Sequence, residues 1–168
     1  MRDRGGHRSL PRPAPLALVP LVLWAAIGLA VVFGVVVETA WYGFGAALLA
    51  IALLDAMRLA RSETPVVERR IPDTWPIGVE RPVTLTFESA RRQCLDVFDL
   101  HPGGWSMRGL PRRLALRAGE VASLDYHLRA NERGDSRFDG VQLRLHSPLR
   151  LWWQSRIAGE AQPVRVCP

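Results

Sequence analysis

All 22 basic residues of this 168-residue chain are arginine, which excludes chemistry that needs a lysine amine, such as a Schiff base or a GxxxxGK phosphate loop. The formal net charge of +6 favours anionic surfaces only as a non-specific field. The apolar fraction of 48% averages a very apolar first third with a polar, arginine-rich remainder, and that remainder is long enough for one compact domain but not two.

Residues 1–15 carry Arg2, Arg4, Arg8 and Arg12, with Pro11, Pro13 and Pro15 at alternate positions. Those prolines remove backbone donors and disfavour helix, so a disordered basic tail is expected. Leu16–Val37 follows without a single charge. As a helix it would run about 33 Å, matching a hydrocarbon core of about 30 Å. A cleaved signal peptide is the competing reading, but the run is longer than a signal core and Glu38 would occupy the −3 position of a cut after Ala40.

The second apolar run, Ala40–Leu54, opens with Trp41 and Tyr42 as interfacial aromatics should, and extends through Asp55 to Met57. One straight helix over both runs would be far too long. A turn at Glu38 and Thr39 is therefore expected, giving a transmembrane hairpin with helices at about 16–37 and 40–57 and a linker at 58–64. A re-entrant or interfacial second segment is the alternative. Gly43 and Gly45, with Ala46, Ala47 and Ala50, would permit close helix–helix approach. Asp55 is expected at the headgroup boundary. The flanks hold Arg12 on one side and Arg58 and Arg61 on the other, whereas the turn holds only Glu38. The positive-inside rule then places both flanks, and both termini, in the cytoplasm of a bacterial inner membrane. If only the first helix spanned, the rest of the chain would lie on the opposite side as an extracytoplasmic sensor or binding module.

From Pro65 the period changes to two. Val83, Leu85 and Phe87 alternate with polar residues, as do Leu124, Tyr126 and Leu128, and Val141, Leu143 and Leu145. Weaker strands fall at 66–70, 94–100, 114–117, 151–156 and 164–166. Turn residues separate them at 73–78, 102–104, 118–120, 131–134 and 147–148. Seven or eight short strands over 65–168 imply an antiparallel β-sandwich of immunoglobulin or fibronectin type III architecture.

No catalytic, cofactor-binding or metal-ligating constellation emerges, and a non-enzymatic role is expected. His7, His101, His127 and His146 lack metal-ligand spacing. Ser123, Asp125 and His127 lie in a row on one strand face, where a triad needs convergence. Arg133-Gly134-Asp135 fits a polar turn with Gly134 at positive φ. Cys94 and Cys167 are expected to stay reduced in the cytosol. The pairs Arg69-Arg70, Arg91-Arg92 and Arg112-Arg113 fit a solvated mixed surface, and with no recognition helix or stacking platform no specific nucleic acid is expected. The most distinctive soluble stretch is Leu149, Arg150, Leu151, Trp152 and Trp153. The adjacent tryptophans must point to opposite faces of a strand, so one can fill the core while the other marks a surface that docks something.

Several segments together, Glu68-Arg69-Arg70-Ile71-Pro72, Arg133-Gly134, Val141 through Trp152, and the closing Pro163-Val164-Arg165-Val166-Cys167-Pro168, resemble the N-terminal half of the bacterial family called domain of unknown function 58. Glu132 stands where that family has its first arginine, Arg150 where it usually has glycine, and Cys167 where it has tyrosine. The resemblance implies a membrane protein acting in envelope complex assembly beside a MoxR-type AAA+ ATPase and von Willebrand A-domain proteins. Family members continue into a von Willebrand A-like domain, so the resemblance also implies a chain truncated before that domain.

Overall fold

The structure is a computed structural model and describes residues 8–167. The part of the expected tail at 1–7, with Arg2, Arg4 and His7, lies outside the described residues, as does Pro168. The chain divides into two compact units. Among the described residues, a helical unit comprises Leu10–Ser62 and His146–Gln154, and a β unit comprises 8–9, Glu63–Leu145 and 155–167.

The helical unit begins with β1 (Arg12–Pro13), followed by a 3-10 turn at Pro15–Ala17 and α1 (Leu18–Val32). Pro20 sits in the first turn of α1, where the backbone N–H it lacks would have had no helical partner. α1 ends earlier than expected because Gly34 adopts φ 70°. That left-handed residue lets Gly34 N–H reach Val31 O at 2.9 Å and Val35 N–H reach Ala30 O at 3.0 Å, a Schellman closure. The turn therefore falls at residues 33–37, and α2 (Glu38–Ala60) starts on Glu38 itself. A carboxylate at a helix N-terminus and Arg58 in the last turn both suit the helix dipole. With 23 residues, the second helix is not the short segment its uncharged run suggested.

The two helices meet at tryptophan and glycine. Trp24 and Trp41 stack with ring centroids 4.8 Å apart, and Trp41 Nε1 donates to Trp24 O at 3.1 Å. Gly45 makes room for Trp24 and Gly28 for Trp41, since a Cβ would stand 2.5 Å and 2.9 Å from the respective indole nitrogens. Gly43 meets nothing within 4 Å. Carried to the start of α1, this antiparallel register brings Leu18 level with Ile51.

The β unit holds β2 (Val66–Arg70), β3 (Thr74–Pro76), β4 (Glu80–Glu88), β5 (Gln93–Asp99), β6 (Ser106–Arg108), β7 (Arg112–Leu116), β8 (Val121–Arg129), β9 (Gly134–Phe138), β10 (Val141–His146), β11 (Trp152–Ala158) and β12 (Gln162–Cys167). Both β10 and β11 run on into the helical unit. One sheet orders its strands β2-β4-β8-β6, another includes β11-β10-β5-β7, and a third is β3-β12-β9. β12 and β3 pair parallel, whereas β2 with β4, β4 with β8, β5 with β7 and β10, β6 with β8, and β9 with β12 pair antiparallel. The expected alternation holds: Val83, Leu85 and Phe87 are fully buried, as are Tyr126, Leu128 and Leu143. The architecture is an antiparallel β-sandwich.

Three strands fall where turns or nothing were expected. β3 lies inside the predicted 73–78 turn because Trp75 is drawn wholly into the core, where it packs on Trp105 at 5.2 Å. β6 adds an edge beside β8. β9 starts on Gly134, whose φ of 123° suits the expected positive-φ turn. The tail expectation is also corrected for the described residues. Arg12 and Pro13 pair antiparallel with Trp153 and Trp152, and Arg8 bridges Arg156 within the β unit. Proline is tolerated on such an edge strand.

Candidate membrane-interface site

Sequence patterning singled out Leu149 through Trp153, and the structure folds this stretch into a hairpin tip within the helical unit. Ser147 N–H donates to Trp152 O at 2.9 Å, and Trp152 N–H donates to Ser147 Oγ at 3.0 Å. Arg150 N–H closes a turn onto Ser147 O at 2.9 Å. The tip requires a left-handed residue, and Arg150 supplies it at φ 58°.

This tip lies along the last turns of α2. Leu149 N–H donates to Asp55 Oδ1 at 3.0 Å, and Trp152 Nε1 donates to Ala52 O at 2.9 Å. Asp55 is therefore 2% exposed, not a carboxylate in open contact with headgroups. Its second oxygen, Oδ2, is buried and has no hydrogen-bond partner among the described residues. Beside it is a cavity of about 160 Å³ lined by Ile51, Leu54, Asp55, Arg58 and Leu149.

Neither tryptophan fills the sandwich core. Trp152 is half-buried and bonded to Ala52, while Trp153 lies under Arg12, whose Cζ sits 5.5 Å from the ring centroid. The core has no need of them because Trp75, Trp105, Tyr126, Phe87 and Phe138 already occupy it. Leu151 O accepts the Ala14 N–H at 2.8 Å. Leu149 is half exposed, and Arg12, Arg58, Arg61 and Arg150 are all exposed. Four cations and several apolar groups thus share the end of the unit where Asp55 is buried.

The other expected anchors, Trp41 and Tyr42, lie about 25 Å away along α2 by helical rise. Tyr42 is exposed and donates to Glu38 Oε1 at 3.3 Å. Trp41 is half-buried and stacks on Trp24.

The β unit contains a polar cluster that sequence reading missed. Arg69 donates through Nη2 to Asp99 Oδ1 and to Gly140 O, the latter at 2.8 Å, and Tyr126 OH donates to Asp99 Oδ2. Arg69 Cζ also sits 4.6 Å from the Phe138 ring centroid. β2, β5 and β8 supply the three side chains, so the cluster joins two sheets. Burial pushes the Asp99 carboxyl up, against the opposing pull of the Arg69 guanidinium. Burial and the neighbouring Asp99 charge push the Tyr126 phenol up as well. Arg69 is therefore not part of a solvated surface. The signal was present in the alternation: Arg69 shares the inward parity of Val67, Asp99 that of Leu95 and Val97, and Tyr126 that of Leu124 and Leu128.

A shallow cavity of about 430 Å³ elsewhere on the β unit is lined by Asp96, Phe98, Pro111, Arg112, Arg113 and Arg144. Arg144 Cζ lies 5.2 Å from the Phe98 centroid, and Arg113 Nε meets Asp96 Oδ1 at 2.9 Å. Cys94 and Cys167 are both free thiols.

No family model matches the sequence, and no curated protein does. Among solved structures, a fragment of native alpha-2-macroglobulin from Escherichia coli, spanning domain MG7 to the C-terminus, is 19% identical over 64% of this chain and 17% of that one, with a TM-score of 0.49. A FixG-related protein from Vibrio parahaemolyticus is 14% identical over 62% of this chain and 96% of that one, with a TM-score of 0.39. The PKD domain of an M14-like peptidase from a Thermoplasmatales archaeon is 13% identical over 64% and 99%, with a TM-score of 0.39. These are resemblances between β domains and say nothing of activity.

Proposed function

We propose that the chain is a non-enzymatic integral membrane protein whose helical hairpin anchors a cytoplasmic β-sandwich used for protein–protein contact. The observation that carries this reading is the surface of α1. Leu18, Val19, Leu21, Val22, Leu29 and Val32 are all at least 57% exposed, and no residue of α1 is buried. Such a helix is stable in water only if something apolar surrounds it, and a bilayer does so without a dedicated partner. Both helices are long and apolar enough to cross. The arginines at one end of the helical unit, against Glu38 at the other, favour a cytoplasmic sandwich.

The proposed process is envelope complex assembly with a MoxR-type AAA+ ATPase and von Willebrand A-domain proteins, as in the family that the sequence resembles. The left-handed backbone at Arg150 supports that resemblance, since it is the position where the family usually has glycine. The arginine-rich cavity around Phe98 is proposed as a partner-facing surface in addition to Leu149–Trp153. Alkaline carbonate extraction is expected to leave the chain in the membrane pellet. A C-terminal alkaline phosphatase fusion is expected to be inactive, and an active fusion would put the sandwich outside the cytoplasm. Co-purification of a MoxR-type ATPase, lost with Phe98→Ala plus Arg112→Glu, tests the partner.

A further inference from the structure

Near the end of α2 the structure sets a half-engaged buried carboxylate beside a cavity. Asp55 is 2% exposed, yet only Oδ1 is engaged, by Leu149 N–H at 3.0 Å. Oδ2 is buried without a hydrogen-bond partner among the described residues. An unmet buried acceptor costs about 1–3 kcal/mol, and more when charged, so a site that keeps one is poised to receive a donor. The same cavity that Asp55 lines is walled by Ile51, Leu54 and Leu149, which are all exposed aliphatic side chains, and by the exposed Arg58.

Arg58 lies one turn beyond Asp55 on α2. Helical side chains lean toward the helix N-terminus. Arg58 shares its cavity with Leu54 and Ile51. Asp55 and Arg58 thus line one cavity together with the aliphatic groups of Ile51, Leu54 and Leu149.

We propose that this cavity is a binding site for a phospholipid with a primary ammonium in its headgroup, of the phosphoethanolamine type. The ammonium donates to Asp55 Oδ2, the phosphate accepts from the Arg58 guanidinium, and the first acyl carbons lie on Ile51, Leu54 and Leu149. A trimethylammonium headgroup has no N–H to give to Asp55 Oδ2. An uncharged glycerol headgroup meets Arg58 through its phosphate but brings no cation to Asp55. This inference rests on the membrane reading above.

The test uses the full chain purified in detergent, with native mass spectrometry against dioleoyl lipids bearing phosphoethanolamine, phosphocholine or phosphoglycerol headgroups. One bound phosphoethanolamine lipid is expected, at least about tenfold tighter than the phosphocholine lipid, the ratio that 1.4 kcal/mol corresponds to. Asp55→Asn keeps an oxygen for Leu149 N–H and is expected to fold, with an unchanged thermal transition, but to lose the preference between the two headgroups. Arg58→Gln is expected to weaken all three lipids together. Soluble glycerophosphoethanolamine is expected to compete poorly, because it lacks the acyl carbons. Equal binding of phosphoethanolamine and phosphocholine lipids by the wild type, a preference that survives Asp55→Asn, or free headgroup binding as tight as the lipid would each overturn the proposal. Carbonate extraction separates the two failures: a chain that washes out of the membrane sinks the anchor reading, whereas one that stays embedded and shows no preference sinks only the lipid site.

Discussion

Removing the Arg69 guanidinium leaves the Asp99 carboxylate inside the sandwich with Tyr126 as its remaining partner. A buried charge stripped of its counter-ion costs about 3–5 kcal/mol, so Arg69→Met is expected to lower the unfolding free energy by that amount. Urea denaturation followed through Trp75 and Trp105 fluorescence reads it. Tyr126→Phe is the milder change, about 1.5–3 kcal/mol at neutral pH for a hydrogen bond to a charged group. Its pH dependence has a definite sign. The phenol is held neutral in the fold, so its folded pKa lies above the unfolded one. The stability it confers is complete below about pH 10 and is lost as pH rises beyond that value. The gap between wild type and Tyr126→Phe is therefore expected to shrink above pH 10. Arg156, pushed down to about 10 first by burial and then by the Arg8 charge, titrates in the same range. It is common to both proteins and cancels in the difference. Gly140, at φ 116°, lends its carbonyl to Arg69, and a Cβ there would stand 3.1 Å from Ile157 Cγ2 and 3.2 Å from Ala158 O. Gly140→Ala is expected to cost about 1–3 kcal/mol through backbone strain, measurable in the same urea series.

The hairpin tip shows where local sequence reading works and where it stops. Arg150 adopts φ 58°, a conformation that costs an L-residue roughly 1 kcal/mol and glycine nothing. Arg150→Gly is expected to leave the thermal transition unchanged or raise it, and Arg150→Val to lower it, since a β-branched side chain resists this region more strongly. Scanning calorimetry of the detergent-solubilised chain distinguishes the two. The strands were legible because Val83–Phe87, Leu124–Leu128 and Val141–Leu145 each keep a clean period of two. The helix ends were not. Hydrophobicity runs unbroken through Phe33–Val37, and only the left-handed Gly34 stops α1. Nor does composition reveal that α2 continues past Met57 to Ala60. The candidate site was half legible. The run Leu149–Trp153 stood out by its apolar content, but Asp55 and Ala52 as its partners are non-local contacts that no local pattern encodes. The polar cluster of Arg69, Asp99 and Tyr126 was hidden by residue type alone, because an arginine beside another arginine suggests a surface even when its strand parity points inward.

At the scale of the whole molecule, the two units interleave along the chain, with crossings near residues 9, 62, 145 and 154. A fragment begun at Glu63 keeps the hairpin tip and loses its partners Ala52 and Asp55. Such a fragment is expected to self-associate through Leu149 and Trp152 on size-exclusion chromatography, and Leu149→Ser with Trp152→Thr is expected to return it to a monomer. The bond from Trp152 Nε1 to Ala52 O joins residues 100 positions apart. At a synthesis rate of about 5–20 residues per second, the ribosome finishes α2 some 5–20 seconds before it delivers that indole. The end of α2 therefore enters its environment before its protein partner exists, and the tip is the last piece of the helical unit to arrive.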